Sequence, residues 1–250
     1  MTRASRVQRG VVVAAAVLVA ACNSATPSTS GSESASAAAS PSVAASAGIA
    51  ACPETGRAPG TYHVSAEQTL TVPATITITE GWNGCGLLTK DWGPVGGPSL
   101  IGFWNVENVY TNPCHWDGAL MDPPVGQTAA EFGVALVDQE LTEATAPSPA
   151  TLGGQPATYV RLSVPEDVDV SSCDRVEIAE FRFFKGPGEE RTGSSVWWLG
   201  AGDAAGLIGE VWATDLDGVR VVVNAAYFSD AAQAEVDEIH AIIESIAFDQ

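Results

Sequence analysis

The sequence predicts an α+β fold: one domain, a largely antiparallel sheet, and two packed helices over about 128–141 and 230–246. Three observations carry this. Runs that alternate apolar and polar residues dominate the chain after residue 60, as half-buried strands do. Two stretches break that rhythm for a 3.6-residue period. Near the end, Asp-Gly separates two β-rich runs, a strong hairpin signal.

The elements follow in order. Thr69 to Thr79 reads TLTVPATITIT, with Leu70, Val72, Ala74, Ile76 and Ile78 on one side and the threonines and Pro73 on the other. Pro73 has no N–H to give a ladder, so an edge position or a local break is expected there. Leu100 to Tyr110 is a second strand. In Thr128-Ala129-Ala130-Glu131 the Thr hydroxyl and the Glu carboxylate each satisfy a free helix N–H, a capping box. The stripe of the helix it opens is Ala130, Val134, Val137 and Leu141, with Phe132 and Leu136 broadening it. Thr158, Val160, Leu162 and Val164 alternate in a further strand, and Val176 to Phe184 continues the pattern. Leu207 to Thr214 and Val219 to Phe228 flank Asp215-Leu216-Asp217-Gly218. The last helix has Ser229 as its expected N-cap. Its apolar stripe is Ala232, Val236, Ile239, Ile243 and Ile246, expected to cover the face holding Val221 and Val223 or the opposite one.

The first 51 residues are of another kind. Arg3, Arg6 and Arg9 precede an apolar run, Val11 to Ala21. As helix it would span about 16 Å, short of the roughly 30 Å hydrocarbon core. Residues 1–21 therefore read as a secretory signal. The next residue is Cys22, and Val19-Ala20-Ala21-Cys22 resembles the bacterial lipobox. That resemblance implies that Cys22 carries a diacylglycerol and becomes the new N-terminus; ordinary cleavage and release is the alternative. From Asn23 to Ala51, 19 of 29 residues are Ala or Ser and none is aromatic. Such a stretch cannot bury enough surface to offset its ordering entropy. Residues 22–51 read as a lipidated cysteine and a tether, and 52–250 as the globular domain.

Cys52, Cys85, Cys114 and Cys173 remain, an even number in an exported chain, where disulfides are the default. Four cysteines allow three pairings. No C-x₂-C spacing suggests zinc. Of the 11 Lys and Arg, three lie in the signal, leaving 8 against 30 Asp and Glu, a net of −22. That argues against nucleic acid and against polybasic attachment to anionic lipid. The expected partner is the membrane, through the anchor; no cofactor is implied.

No motif announces catalysis. Neither H-E-x-x-H nor G-x-S-x-G occurs. His115 follows Cys114, but neighbours in an extended chain point apart, and an exported cysteine is normally oxidised. His240 reads as a partly covered surface histidine. Asp215 and Asp217 resemble the start of a calcium loop, yet position twelve is Ala226, which cannot ligate. The tryptophans are more suggestive. Trp82, Trp92 and Trp116 lie in Gly/Pro-rich loops, and a cluster of them would form an apolar or carbohydrate-stacking groove. The favoured reading is that each plugs a small core, and the groove is the alternative.

Val72-Pro73 with Gly81-Trp82, Val109 to Trp116, Thr128 to Phe132, Leu152 to Ala157, Val164-Pro165 with Cys173, Trp212 to Gly218, Val221 to Phe228 and Ile242 to Ile246 together resemble a family of uncharacterised actinobacterial lipoproteins with an exported, Cys-bridged domain. The resemblance implies a surface location, a Cys114–Cys173 bridge leaving Cys52–Cys85, and no catalytic residues. The order of elements is also distantly similar to Mog1/PsbP-like α+β domains. The expectation is a membrane-anchored extracytoplasmic lipoprotein with a non-enzymatic binding domain. A hydrophobic-ligand carrier using the loop tryptophans, and an extracellular hydrolase, are the alternatives.

Overall fold

Valine-rich strands and a two-residue turn set the centre of the molecule. Leu207–Leu216 and Val219–Phe228 pair antiparallel along their whole lengths. Asp217 and Gly218 between them have φ of 49° and 81°, the left-handed pair that matches the twist of a tight hairpin. This is a computed structural model, and it describes residues 49–53, 58–69, 72–91, 98–175, 177, 179–187, 196–200 and 204–249. The expected signal, Cys22, nearly all of the expected tether, Leu70, Trp92 and Val176 lie outside the described residues.

In chain order the strands are β1 Ala50–Ala51, β2 Gly60–Val64, β3 Ala74–Ile78, β4 Leu87–Asp91, β5 Pro98–Trp104, β6 Asn108–Val109 and β7 Glu143–Ala144. Then come β8 Ser148–Leu152, β9 Gln155–Ser163, β10 Glu180–Lys185, β11 Val196–Gly200, β12 Leu207–Leu216, β13 Val219–Phe228 and β14 Ala247–Phe248. The helices are α1 Ala66–Thr69, α2 Ala129–Val137 and α3 Gln233–Glu244. A seven-stranded sheet runs β4-β5-β13-β12-β9-β7, with β8 also on β9. Two smaller sheets run β1-β2-β3-β14 and β11-β10-β6. Only β1 and β2 pair in parallel; every other pairing among the described strands is antiparallel.

The seven-stranded sheet divides two cores. Val211, Ala213, Val222 and Ala226 face one side, with Phe132 and Leu136 of α2 and Phe181, Phe183 and Phe184 of β10. Ile208, Trp212, Val221, Val223 and Tyr227 face the other, with Ile239, Ile242 and Ile243 of α3 and Ile76 and Ile78 of β3. The period-2 alternation of β12 and β13 thus feeds both cores. The protein is sheet-rich and antiparallel, and its two longer helices cover opposite faces, each sharing its face with a small sheet.

Several expectations are corrected. The first helix ends at Val137, with Asp138 as C-cap, and Leu141 has φ of 59°, outside helical backbone. Its buried face is Ala129, Phe132, Ala135 and Leu136; Val134 is 54% exposed, and Val137 and Leu141 are exposed too. Both stripes are apolar, and the one carrying the larger side chains is buried, because it removes more apolar area from water. The Thr128–Glu131 capping box is present as read. The last helix begins at Gln233, and its N-cap Ala232 makes no side-chain cap bond. Ser229 is engaged elsewhere, its N–H on Gly206 and its hydroxyl on Glu166. Helix α3 covers the Val221/Val223 face. Strand β3 starts directly after Pro73. Ala50 and Ala51 already pair with Tyr62 and His63, so ordered backbone begins ahead of residue 52.

Candidate functional site

A charged residue in a buried strand organises the site. Glu210 sits mid-β12 among Leu207, Ile208, Val211 and Trp212, and is 4% exposed. Its parity is that of Ile208 and Trp212, so it faces α3. Burying a carboxylate is tolerable only with hydrogen-bond partners, and Tyr159 and His240 are among those supplied. The Tyr159 hydroxyl donates to Oε1 at 2.8 Å. His240 Nε2 meets Oε2 at 2.6 Å. Tyr159 is placed by β9, where it pairs with Trp212, and His240 by α3. Arg161 lies directly opposite Glu210 on β9.

A cleft of about 290 Å³ opens over this group, lined by Thr151, Tyr159, Trp212, His240, Ile243 and Glu244. The Tyr159 and Trp212 rings lie 5.2 Å apart at 50°. The His240 ring meets Trp212 edge-on, 6.3 Å between centroids. Burial, and then the Glu210 charge and hydrogen bond, push the Tyr159 phenol well above its ordinary value, with Arg161 opposing. Burial and Glu210 likewise push Tyr227 up to about 12, against the pull of Arg161. Both hydroxyls therefore stay protonated at neutral pH.

The residues singled out from sequence are dispersed. Trp82 is buried in the α3-side core, and its Nε1 donates to Glu238 Oε1 at 3.0 Å. Trp116 is buried in a separate cluster with Tyr110, beneath the Arg182 guanidinium 3.6 Å from its ring centre. Arg182 in turn is held by Glu180 at 2.6 and 2.8 Å. Trp92 lies outside the described residues. Trp82 and Trp116 are buried in separate clusters, whereas Trp212 lines a cleft.

The cysteines form Cys52–Cys85 and Cys114–Cys173 bridges, the pairing that the family resemblance implies. The Cys114 sulfur is thus no thiolate for His115, which lies 3.7 Å from Asp174 on the surface. Asp215 accepts the Ala129 N–H with both oxygens at the start of α2, and Asp217 forms the hairpin turn, so structural roles account for both. Among the described residues no three His, Cys, Asp or Glu side chains gather as a metal site. No described helix is long and apolar enough to cross a membrane.

Sequence reasoning misses Glu210, Tyr159 and His240 as a unit. One signal was available: in Leu-Ile-Gly-Glu-Val-Trp-Ala, the Glu falls on the inward parity of an otherwise apolar strand, and an unpaired buried carboxylate is rare.

No family model matches the chain, and no curated protein matches it. Two solved chains do. One is a protein of Bacteroides thetaiotaomicron, 10% identical, with a TM-score of 0.33, covering 78% of this chain and 50% of that one. This chain spans about half the length of that protein, and a likeness at that level carries no argument about function.

Proposed function

We propose that the chain is a membrane-anchored extracytoplasmic lipoprotein whose domain binds a small ligand in the Tyr159–Trp212–His240 cleft. The observation that carries the binding reading is Glu210, a buried carboxylate that holds Tyr159 and His240, two of the residues lining a cleft with aromatic walls. Fixed polar groups among apolar ones are what small-molecule sites use for orientation. The binding reading is favoured over catalysis because neither cysteine nor serine is among the lining residues and the Tyr159 phenol is held protonated. A carrier built on the loop tryptophans finds no support, since Trp82 and Trp116 are buried apart. The anchor rests on Val19-Ala20-Ala21-Cys22, and two disulfides suit an oxidising compartment. The fold class we assign is α+β, with the helices as covers.

The anchor is tested by detergent phase partition. The parent should enter the detergent phase and Cys22→Ser the buffer; equal partition of the two would overturn it. The binding reading is tested by thermal shift against cationic, neutral and anionic small molecules. At least one class should stabilise the protein, and Trp212→Phe or His240→Gln should abolish the effect. Stabilisation by none would remove the reading.

A further inference from the structure

We infer that the cleft is built for a primary alkylammonium, a small organic cation with a short aliphatic tail; this names the ligand class of the site proposed above and rests on that reading. Counting protons around Glu210 fixes which lining groups donate and which accept. An ionised carboxylate only accepts. Glu210 Oε1 takes the Tyr159 proton and Oε2 faces His240 Nε2 at 2.6 Å. That bond needs the Nε2–H, so a neutral His240 keeps its proton there and leaves Nδ1 as a bare acceptor. Tyr159 Oη, having donated, likewise keeps lone pairs for a ligand. Glu210 thus turns two amphoteric side chains into acceptors.

The rest of the wall agrees. Glu244 brings a carboxylate one helical turn beyond His240, at the exposed rim. Tyr159 and Trp212 contribute rings, whose faces attract cations. Thr151 has a hydroxyl that accepts as readily as it donates, and Ile243 is apolar. Arg161, opposite Glu210, offsets the Glu210 charge and engages the Tyr227 hydroxyl; it is not among the lining residues, and Glu244 leaves the cleft net negative. A metal ion is a poorer fit. Both Glu210 oxygens are engaged, and among the described residues no three His, Cys, Asp or Glu side chains gather as a metal site. Three N–H groups of an ammonium match the acceptors, and about 290 Å³ holds roughly ten water-sized groups, enough for a short tail. The strongly acidic chain, −19 overall, raises the local concentration of cations.

The test is calorimetric titration of the full chain in nonionic detergent with n-pentylammonium, 1-pentanol and pentanoate. The ammonium should bind at least roughly tenfold more tightly than either isostere, the range a desolvated cation–ring contact supports. Glu244→Gln, on the exposed rim, and Glu210→Gln, which removes the charge that holds the Tyr159 and His240 protons turned away from the cleft, should each weaken it severalfold. Thr151→Val guards against a Glu210 variant that fails to fold. Equal or tighter binding of pentanol or pentanoate would overturn the inference and leave the binding reading standing. Binding of the ammonium unchanged in all three variants would place it elsewhere and overturn the inference too. Silence from all three probes would overturn the ammonium assignment, and the thermal-shift panel would then decide the binding reading separately.

Discussion

Replacing Glu210 with Gln keeps the shape of the side chain and removes its charge. In the parent, the carboxylate accepts from Tyr159 at 2.8 Å and His240 at 2.6 Å. Hydrogen bonds to a charged group contribute about 1.5–3 kcal/mol each, against about 0.5–1.5 for neutral ones. Two bonds weakened by about 1 kcal/mol each give a gross loss near 2 kcal/mol. Relief from burying a carboxylate offsets part of it, so the expected net destabilisation is about 1–2 kcal/mol, read by urea unfolding at pH 7. A second readout does not depend on stability. Burial and Glu210 hold both phenols protonated, Tyr227 up to about 12 and Tyr159 further still. In Glu210→Gln the burial contribution stays and the charge contribution goes, so both phenols should ionise at lower pH, seen by ultraviolet titration of the phenolate. The sign for stability follows. A raised phenol pKa means that the folded state holds more protons than the unfolded one above pH 10. Stability is therefore fully present below about pH 10 and is lost as pH rises toward 12. The variant should lose less over that window. A phenolate titration identical to the parent's would refute the claim that Glu210 governs these hydroxyls.

Three further outcomes test the fold. Leu136→Ala should cost about 2–5 kcal/mol and Val134→Ala within about 0.5, measured by urea unfolding; the reverse order would put the other stripe of α2 in the core. Glu238 is held below its ordinary value although burial works the other way, because Lys90, Thr79 and Trp82 hydrogen-bond its carboxylate. The folded state then binds fewer protons than the unfolded one, so this contribution is present above about pH 4.5 and is lost as pH falls; Glu238→Gln should flatten that limb of an acid-unfolding curve. Cys114 and Cys173 close a loop with a separation of 59 residues, so Cys114→Ser/Cys173→Ser should cost about 4 kcal/mol by chain entropy. A loss under about 1 kcal/mol would show the bridge to be dispensable.

What was legible in the sequence was local. The 207–228 hairpin was readable because β-rich runs and Asp-Gly agree, and the Thr128 capping box because its partners are three residues apart. Periodicity did not say which stripe of α2 is buried: Ala130/Val134/Val137/Leu141 and Ala129/Phe132/Leu136 are both apolar, and tertiary packing chose. Ser229 resembled a cap, but the helix starts at Gln233 with Ala232 at the N-cap, so Ser229 lies three residues too early, where its N–H meets Gly206 and its hydroxyl Glu166. The candidate site was the least legible feature. Tyr159 is 51 residues from Glu210, and His240 is 30. Only the pairing of β9 with β12 and the docking of α3 bring them together, and no motif spans such distances. Composition does not separate a buried plug from a binding wall at the loop tryptophans; Trp82 and Trp116 follow the core reading, and their ring positions could not be told from sequence because they depend on tertiary packing.

The central claim is that Glu210 leaves the cleft lined with acceptors. Nitrogen-15 NMR of the imidazoles at pH 8, with His240 assigned by its His240→Gln variant, measures this directly. The account predicts a proton on Nε2 and a bare Nδ1 for His240 in the parent. A parent His240 protonated on Nδ1 would contradict it.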